Sequence, residues 1–177
     1  MAFVLLRQSS VSTAPAQVKV GAPFTLTDSD GSRFSSERLA GRPHAIFFGF
    51  THCPDVCPTT LARLAKLRKE LGRGEDAFDI VFVSVDPERD KPEEMARYAK
   101  LFSTPLIALS GSLAEIHSVK ESFGIYSEKV PDKFGGYSVD HSAQVLLFNR
   151  DGSFAGTIAF DETNPVALQK LANISQS

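Results

Sequence analysis

Cysteine is scarce in this chain, since only two occur among its 177 residues. A disulfide framework like that of small secreted domains is therefore excluded. No apolar run approaches the ~20 residues that a membrane-spanning helix needs. Charge of one sign is also lacking, with 19 basic against 21 acidic residues, so nothing indicates a nucleic-acid-binding surface. These absences leave a single ordinary globular domain, long enough to bury a large core without metals or disulfides.

Both cysteines lie in a short polar loop that follows an apolar run. Residues 45–50 carry no charge and are mostly aromatic or branched, which predicts a strand buried on both faces. Residues 58–71 have apolar positions at helical spacing and stop at Gly72, which predicts a helix. Cys53 and Cys57 are therefore expected where a central strand ends and a helix begins. Open α/β sheets bind ligands there, and a helix N-terminus favours thiolate over thiol.

The order of the other elements predicts an α/β fold. Residues 1–20 are expected to be a flexible lead-in, and residues 21–177 a single domain that opens with a hairpin signal at 24–34. Strands and helices then alternate as β-α-β-α-β-α-β-β-α. A thiol motif after an early central strand favours a thioredoxin-like fold, with a central mixed β-sheet flanked by helices and an N-terminal β-hairpin extension.

One long segment, residues 125–140, shows little periodicity and contains Gly135 and Gly136. We expect a loop there, the most mobile part of the domain after the N-terminus. His141 follows it directly. Its imidazole is therefore expected several ångströms out of bonding range of any ligand held by the cysteines, and binding of that ligand would draw it in.

Two thiols at such a corner can exchange with a disulfide or hold a soft metal ion. A buried structural pair or a plain structural disulfide is the alternative, although a core this large needs neither. Pro54 and Pro58 are expected to keep the loop from becoming regular helix. Two ligands do not complete a metal site, so a third must come from elsewhere in the chain.

The third ligand is sought among the four histidines. His44 and His117 are expected to be solvated. His52 adjoins Cys53 and is expected to be a loop residue with a local hydrogen bond. His141 directly precedes a strand of the terminal hairpin, which is expected beside the central strand, so it can lie near the cysteines. A capped surface histidine fits its position equally well.

Three stretches together resemble the Sco/SenC family. They are residues 49–58 (GFTHCPDVCP), 84–90 (SVDPERD) and 139–142 (VDHS), within a similarity that runs from about Gly21 to Leu171. Members of that family are thioredoxin-like proteins that bind copper and help to assemble the dinuclear copper centre of cytochrome c oxidase. The resemblance implies a copper metallochaperone with thiol–disulfide redox activity. It would deliver copper to that centre or reduce its cysteines.

The resemblance also implies which residues act. Cys53, Cys57 and His141 would bind copper, the two cysteines would be the redox thiols, and Asp140 would support the histidine without binding the metal. Two thiolates and an imidazole suit Cu(I), and the sequence leaves open whether Cu(II) is bound as well. Zn(II) would want a fourth ligand, and there is no further cysteine to provide it.

The resemblance also implies partners and a compartment. The partners would be the cytochrome c oxidase subunit that carries the dinuclear copper site and other copper chaperones. Family members usually carry a membrane anchor, so the full-length form is expected at the periplasmic face of an inner membrane or in the mitochondrial intermembrane space. The apolar segment at the start of this sequence is too short to predict a signal peptide, so a cytosolic location stays open as well.

Two other functional classes stay open. The first is a general thiol–disulfide oxidoreductase or a peroxiredoxin-like enzyme. The CxxC spacing of thioredoxins is absent, and Thr51 stands two residues before Cys53 where peroxiredoxins have a threonine three residues before. The second is a redox-signalling module whose cysteines form a disulfide but hold no copper.

Overall fold

The computed structural model describes residues 19–177. Most of the expected lead-in, residues 1–18, lies outside the described residues. The strands are β1 (Thr25–Asp28), β2 (Arg33–Ser35), β3 (His44–Gly49), β4 (Asp79–Ser84), β5 (Ile107–Ser110), β6 (Ser127–Pro131), β7 (Tyr137–His141), β8 (Val145–Phe148) and β9 (Phe154–Ile158). The α-helices are α1 (Val56–Glu70), α2 (Pro92–Ala99), α3 (Leu113–Phe123) and α4 (Asn164–Gln176).

Seven strands form one mixed sheet in the order β2-β1-β5-β4-β3-β8-β9. β3, β4 and β5 run parallel, whereas β8 pairs antiparallel with β3 on its other side. All six residues of β3 are buried, as expected for a central strand covered on both faces. The terminal hairpin of β8 and β9 therefore lies beside the central strand, as the sequence predicts.

Helices cover both faces of this sheet. Phe47 and Phe48 are neighbours on β3 and so point to opposite faces. On one face Phe47 stacks on Phe82 of β4, and Tyr98 of α2 packs against Phe82 with ring centroids 5.4 Å apart. On the other face Phe48 packs against Phe123 of α3 at 5.6 Å. The predicted central mixed sheet flanked by helices is confirmed.

The prediction of a long loop is wrong, because residues 125–140 contain most of a second, two-stranded sheet. β6 and β7 pair antiparallel from Ser127 opposite His141 to Pro131 opposite Tyr137, and we call this unit the β6–β7 hairpin. Four of the five β6 residues are exposed, so β6 lacks the apolar–polar alternation that marks a strand in a sequence. Among residues 19–177, no helix combines the length and apolar character that crossing a bilayer requires.

Candidate metal centre

The two cysteines lie at the corner between β3 and α1. Cys53 is in the connecting loop, and Cys57 is in the first turn of α1, which begins at Val56 and thus before the predicted start at Pro58. Proline is tolerated in a first helical turn because its missing N–H would have no intrahelical partner there. The backbone N–H of Cys57 donates to Sγ of Cys53 at 3.4 Å. The helix start therefore points a donor at the sulfur of the preceding loop.

Gly49, the last residue of β3, makes room for this corner. A Cβ at that position would lie 2.7 Å from Sγ of Cys57 and 3.0 Å from ring atoms of Phe47 and Phe82. No side chain fits at such distances without displacing the buried sulfur or the rings. The motif therefore needs glycine for close packing between strand and helix.

His141, the last residue of β7, brings its imidazole to the same corner. Its Nδ1 lies 2.9 Å from the carbonyl of Ser142, and because a carbonyl only accepts, Nδ1 carries the proton. Nε2 then faces Sγ of Cys57 at 3.5 Å with its lone pair free in the neutral ring. The rings of Phe47 and Phe50 hold the imidazole edge-on, at centroid distances of 6.0 Å and 5.8 Å.

The structure thus brings together the three residues that the sequence predicts as ligands. The donor atoms of Cys53, Cys57 and His141 all lie within 4.8 Å of one another, and no other such cluster occurs in the part of the chain that the structure describes. The expectation that the imidazole stands several ångströms out of range is not met in this arrangement. Two soft sulfurs and one imidazole fit Cu(I), whereas a closed Zn(II) site needs four ligands.

The two thiols have opposite acidities. A hydrogen bond from Cys57 lowers the pKa of Cys53 far below its ordinary range, and hydrogen bonds from two backbone N–H groups add to the effect. The same hydrogen bond and burial in the core raise the pKa of Cys57 well above its ordinary range. Cys53 is therefore ready as a thiolate, and a bound metal ion must displace the proton of Cys57.

Asp140 does not join this group. It is exposed, and because side chains alternate along a strand it points to the face of β7 opposite His141. The support for the imidazole that the resemblance assigns to Asp140 comes in this structure from the carbonyl of Ser142.

The other histidines differ in how they match their expectations. His52 makes the predicted local contact, with Nδ1 3.0 Å from Oγ1 of Thr51. The side chain of His117 is 69% exposed, as predicted. The prediction for His44 is wrong, because it begins β3, is buried, and stacks on Phe148 with centroids 5.0 Å apart.

Two buried carboxylates near the site escaped sequence reasoning. Asp90 accepts hydrogen bonds from the N–H and hydroxyl of Thr51, at 3.0 Å and 2.6 Å, and from the hydroxyl of Ser84 at 2.6 Å. It thereby ties the loop that carries Cys53 to the end of β4. Asp86 is equally buried and accepts from the hydroxyl of Tyr137 at 2.9 Å. The available signal was the cluster of charges directly after a buried strand.

One apolar groove is remote from these residues. It encloses about 450 Å³ and is lined by His44, Phe123 and Phe148 among others, at the end of β3 opposite the cysteine corner. None of the three sulfur and nitrogen donors lines it. The metal-ligating chemistry therefore belongs to the corner and not to the groove.

The fold and the site together define a class: thioredoxin-like proteins that present a CxxxC dithiol and a histidine at the end of a central strand. The SCO1/SenC family model matches residues 12–176, and the chain belongs to that family. It is 39% identical over 137 residues to "Protein SCO1 homolog 1, mitochondrial" of Arabidopsis thaliana, covering 76% of this chain and 41% of that relative. The chain thus spans less than half the length of this relative.

Solved structures agree with this assignment. Copper-bound ScoI of Bradyrhizobium japonicum is 42% identical, with a TM-score of 0.80 over 88% of this chain and 99% of that one. BsSco, described as a member of the Sco family of cytochrome c oxidase assembly proteins with a disulfide switch, is 26% identical. Its TM-score is 0.68 over 90% of this chain and 96% of that one. Both solved structures are Sco proteins, in agreement with the SCO1/SenC family assignment.

Proposed function

We propose that this protein binds one copper ion through Cys53, Cys57 and His141. The observation that carries the proposal is the approach of their three donor atoms to within 4.8 Å, with the imidazole oriented by its Nδ1 hydrogen bond. The soft sulfurs favour Cu(I), and the nitrogen can also serve Cu(II). A site with three protein ligands leaves the ion open to a fourth ligand from another protein, which suits a carrier.

Delivery to cytochrome c oxidase is the proposed purpose. The acceptor would be the subunit that carries the dinuclear copper site, and other copper chaperones would load the protein. Support comes from the description of BsSco as a member of a family of oxidase assembly proteins and from the copper in the Bradyrhizobium structure. The proposed location, by family resemblance, is a membrane-anchored form in the periplasm or the mitochondrial intermembrane space.

Reduction of the acceptor's cysteines is a second candidate, favoured by the unequal burial of the two thiols. Cys53 is only partly buried and can reach another protein, whereas Cys57 is fully buried beside it. The Cys53 thiolate would attack an acceptor disulfide, releasing one acceptor thiolate and forming a mixed disulfide. Cys57, on losing its proton, would attack Cys53 and release the second acceptor thiolate. Two electrons pass to the acceptor, and the chain keeps a Cys53–Cys57 disulfide.

Copper affinity of the reduced protein tests the ligand set. Wild type should bind one Cu(I) per chain in competition with a Cu(I) chelator. Cys53→Ser and Cys57→Ser should each abolish tight binding, and His141→Ala should weaken it. The oxidised protein should take up none, because the disulfide removes two ligands. Full affinity in either serine variant would overturn the ligand set.

A soluble acceptor domain with the dinuclear copper site separates the two functions. If delivery operates, copper moves from the loaded protein to an acceptor whose cysteines are already reduced. If reduction operates, the metal-free dithiol converts an oxidised acceptor to its thiol form, with Cys57→Ser trapping the mixed disulfide. A peroxiredoxin-like enzyme would instead consume peroxide rapidly without metal, and this result would favour that alternative.

A further inference from the structure

The β6–β7 hairpin carries His141 but pairs with no strand of the seven-stranded sheet. Most of its side chains are exposed, and Phe134 in its turn is 86% exposed. A two-stranded hairpin alone is only marginally stable in water. Contacts to the rest of the domain must therefore determine where His141 stands relative to the cysteines.

Arg89 supplies several of these contacts. Its Nε donates to the carboxylate of Asp86, and its Nη1 donates to the backbone carbonyl of Tyr137 at 3.0 Å. The guanidinium also lies over the Tyr137 ring, 3.8 Å from its centroid. Tyr137 in turn donates its hydroxyl to Asp86 at 2.9 Å, which closes the network. We call Asp86, Arg89 and Tyr137 the clamp.

One end of the clamp is rigid. Asp86 is fully buried just after β4, and its backbone N–H donates to the hydroxyl of Ser84 at 3.0 Å. A buried carboxylate held by a charged guanidinium and a phenol is a strong, directional anchor. The clamp therefore fastens the β6–β7 hairpin to the central sheet.

The other end leads directly to the imidazole. Tyr137 and His141 are the first and last residues of β7 and share one face of the strand, with buried Val139 between them. The guanidinium of Arg89 also lies 5.8 Å from the ring centroid of Phe50, which in turn packs against the imidazole of His141. The clamp thus reaches His141 both along the strand and through an aromatic ring.

We propose that Arg89 and Tyr137 are positioning residues, which hold the imidazole of His141 in copper-binding range of Cys53 and Cys57. This inference rests on the proposed copper site. Neither Arg89 nor Tyr137 would contact the copper ion in that site. They fix the position of His141, which lies on an otherwise weakly anchored hairpin, before copper binds. Copper binding then loses less conformational entropy in ordering the hairpin.

The test uses Cu(I) affinity in a double-mutant cycle with His141. Arg89→Lys keeps the charge but loses the planar fork that reaches Asp86 and Tyr137 together. We expect it to lower the affinity by about tenfold or more, as is usual for groups that orient a metal ligand. In a His141→Ala background it should lower the affinity no further. Tyr137→Phe, which removes a single hydroxyl, should show a smaller loss with the same dependence on His141, and it carries the test if Arg89→Lys does not fold.

Arg97→Lys is the matched control, because within residues 19–177 the polar contacts of Arg97 are only an exposed pair with Glu94 of α2 and a long contact to its own helix. It should leave the affinity unchanged. A readout without metal is amide hydrogen exchange, in which Arg89→Lys should speed exchange in β6 and β7 but not in β3.

Three outcomes would overturn the proposal. Equal losses from Arg89→Lys with and without His141 would mean that the clamp acts on the whole fold and not through the imidazole. Unchanged affinity in Arg89→Lys and Tyr137→Phe, with a loss in His141→Ala, would show that the clamp does not position the imidazole. The proposed copper site would still hold. Unchanged affinity in His141→Ala would instead show that the proposed ligand set is wrong, and the positioning role would fall with it.

Discussion

Cys53 and Cys57 stand four residues apart, yet their sulfurs meet different surroundings, because only Cys57 is fully enclosed by the core. The hydrogen bond between them lowers the pKa of one thiol and raises that of the other. At the scale of single residues, the site therefore consists of a ready thiolate, a protected thiol and an oriented imidazole.

Alkylation of the metal-free, reduced protein checks this inequality. Cys53 should react with iodoacetamide well below pH 7, since its pKa is lowered, while Cys57 stays unmodified in the folded state. Cys57→Ala removes the hydrogen bond that contributes most, so it should shift the pH profile of Cys53 alkylation upward. An identical profile in the two proteins would contradict the account of the pair.

His44 gives a second prediction at this scale. Burial lowers its pKa, so between that value and ~6.5, the ordinary value, the unfolded chain binds the proton more tightly than the folded one. Stability contributed by neutral His44 is thus present above pH ~6.5 and is lost as the pH falls toward the folded-state pKa. The free energy of unfolding should drop more between pH 7.5 and 5.5 in wild type than in His44→Phe, which keeps an aromatic ring against Phe148.

Denaturant unfolding at the two pH values measures this difference. His117→Gln serves as the control, because it removes an exposed histidine from α3, and it should keep the wild-type pH dependence. The same slope in wild type and His44→Phe would show that His44 is not the titrating group.

The strands and helices differ in how clearly the sequence predicts them. β3 is buried at every position and ends at a glycine, and a loop with both cysteines follows a few residues later, so its place and the corner after it could be predicted. Ser112 and Glu115 are spaced as a capping box and mark the start of α3 equally clearly, and the structure has both hydrogen bonds of that motif.

The β6–β7 hairpin could not be predicted by these criteria, because exposure of most of β6 and the turn glycines mask its strand character. Its position depends on the contact of Arg89 with Tyr137, residues 48 positions apart in the chain. For the same reason the sequence left His141 undecided between ligand and surface residue. The orientation of Asp140 away from the site follows from strand alternation only once β7 is known from the structure.

Gly49 gives a prediction at the element scale, because it sets the approach of β3 to α1. Gly49→Ala places a methyl group 2.7 Å from Sγ of Cys57 in a packed core, and should destabilise the protein by about 1–3 kcal/mol. Gly136→Ala is the matched control, since its nearest neighbour at 2.7 Å is the carboxylate of exposed Asp132, which can move. Chemical denaturation that finds equal losses for the two variants would contradict the close-packing argument.

In the molecule as a whole, the candidate site has two parts. One part is built into the seven-stranded sheet, and the other is carried by a separate hairpin. The cysteines belong to the corner of the seven-stranded sheet, while the histidine arrives on the separate β6–β7 hairpin. With the proposed copper site, this division would let a single domain keep its dithiol chemistry while copper binding depended on a further contact. Disulfide formation between Cys53 and Cys57 should therefore survive in His141→Ala, although copper binding is weakened.

X-ray absorption spectroscopy of the Cu(I)-loaded, reduced protein tests the copper site most directly, because it counts the atoms bound to the ion. In wild type we expect two sulfur atoms and one imidazole nitrogen bound to the copper ion. The spectrum of His141→Ala should keep both sulfurs and lose the imidazole signal, while Arg97→Lys should match wild type. A wild-type spectrum with a single sulfur, or one whose imidazole signal persists in His141→Ala, would contradict the proposed centre.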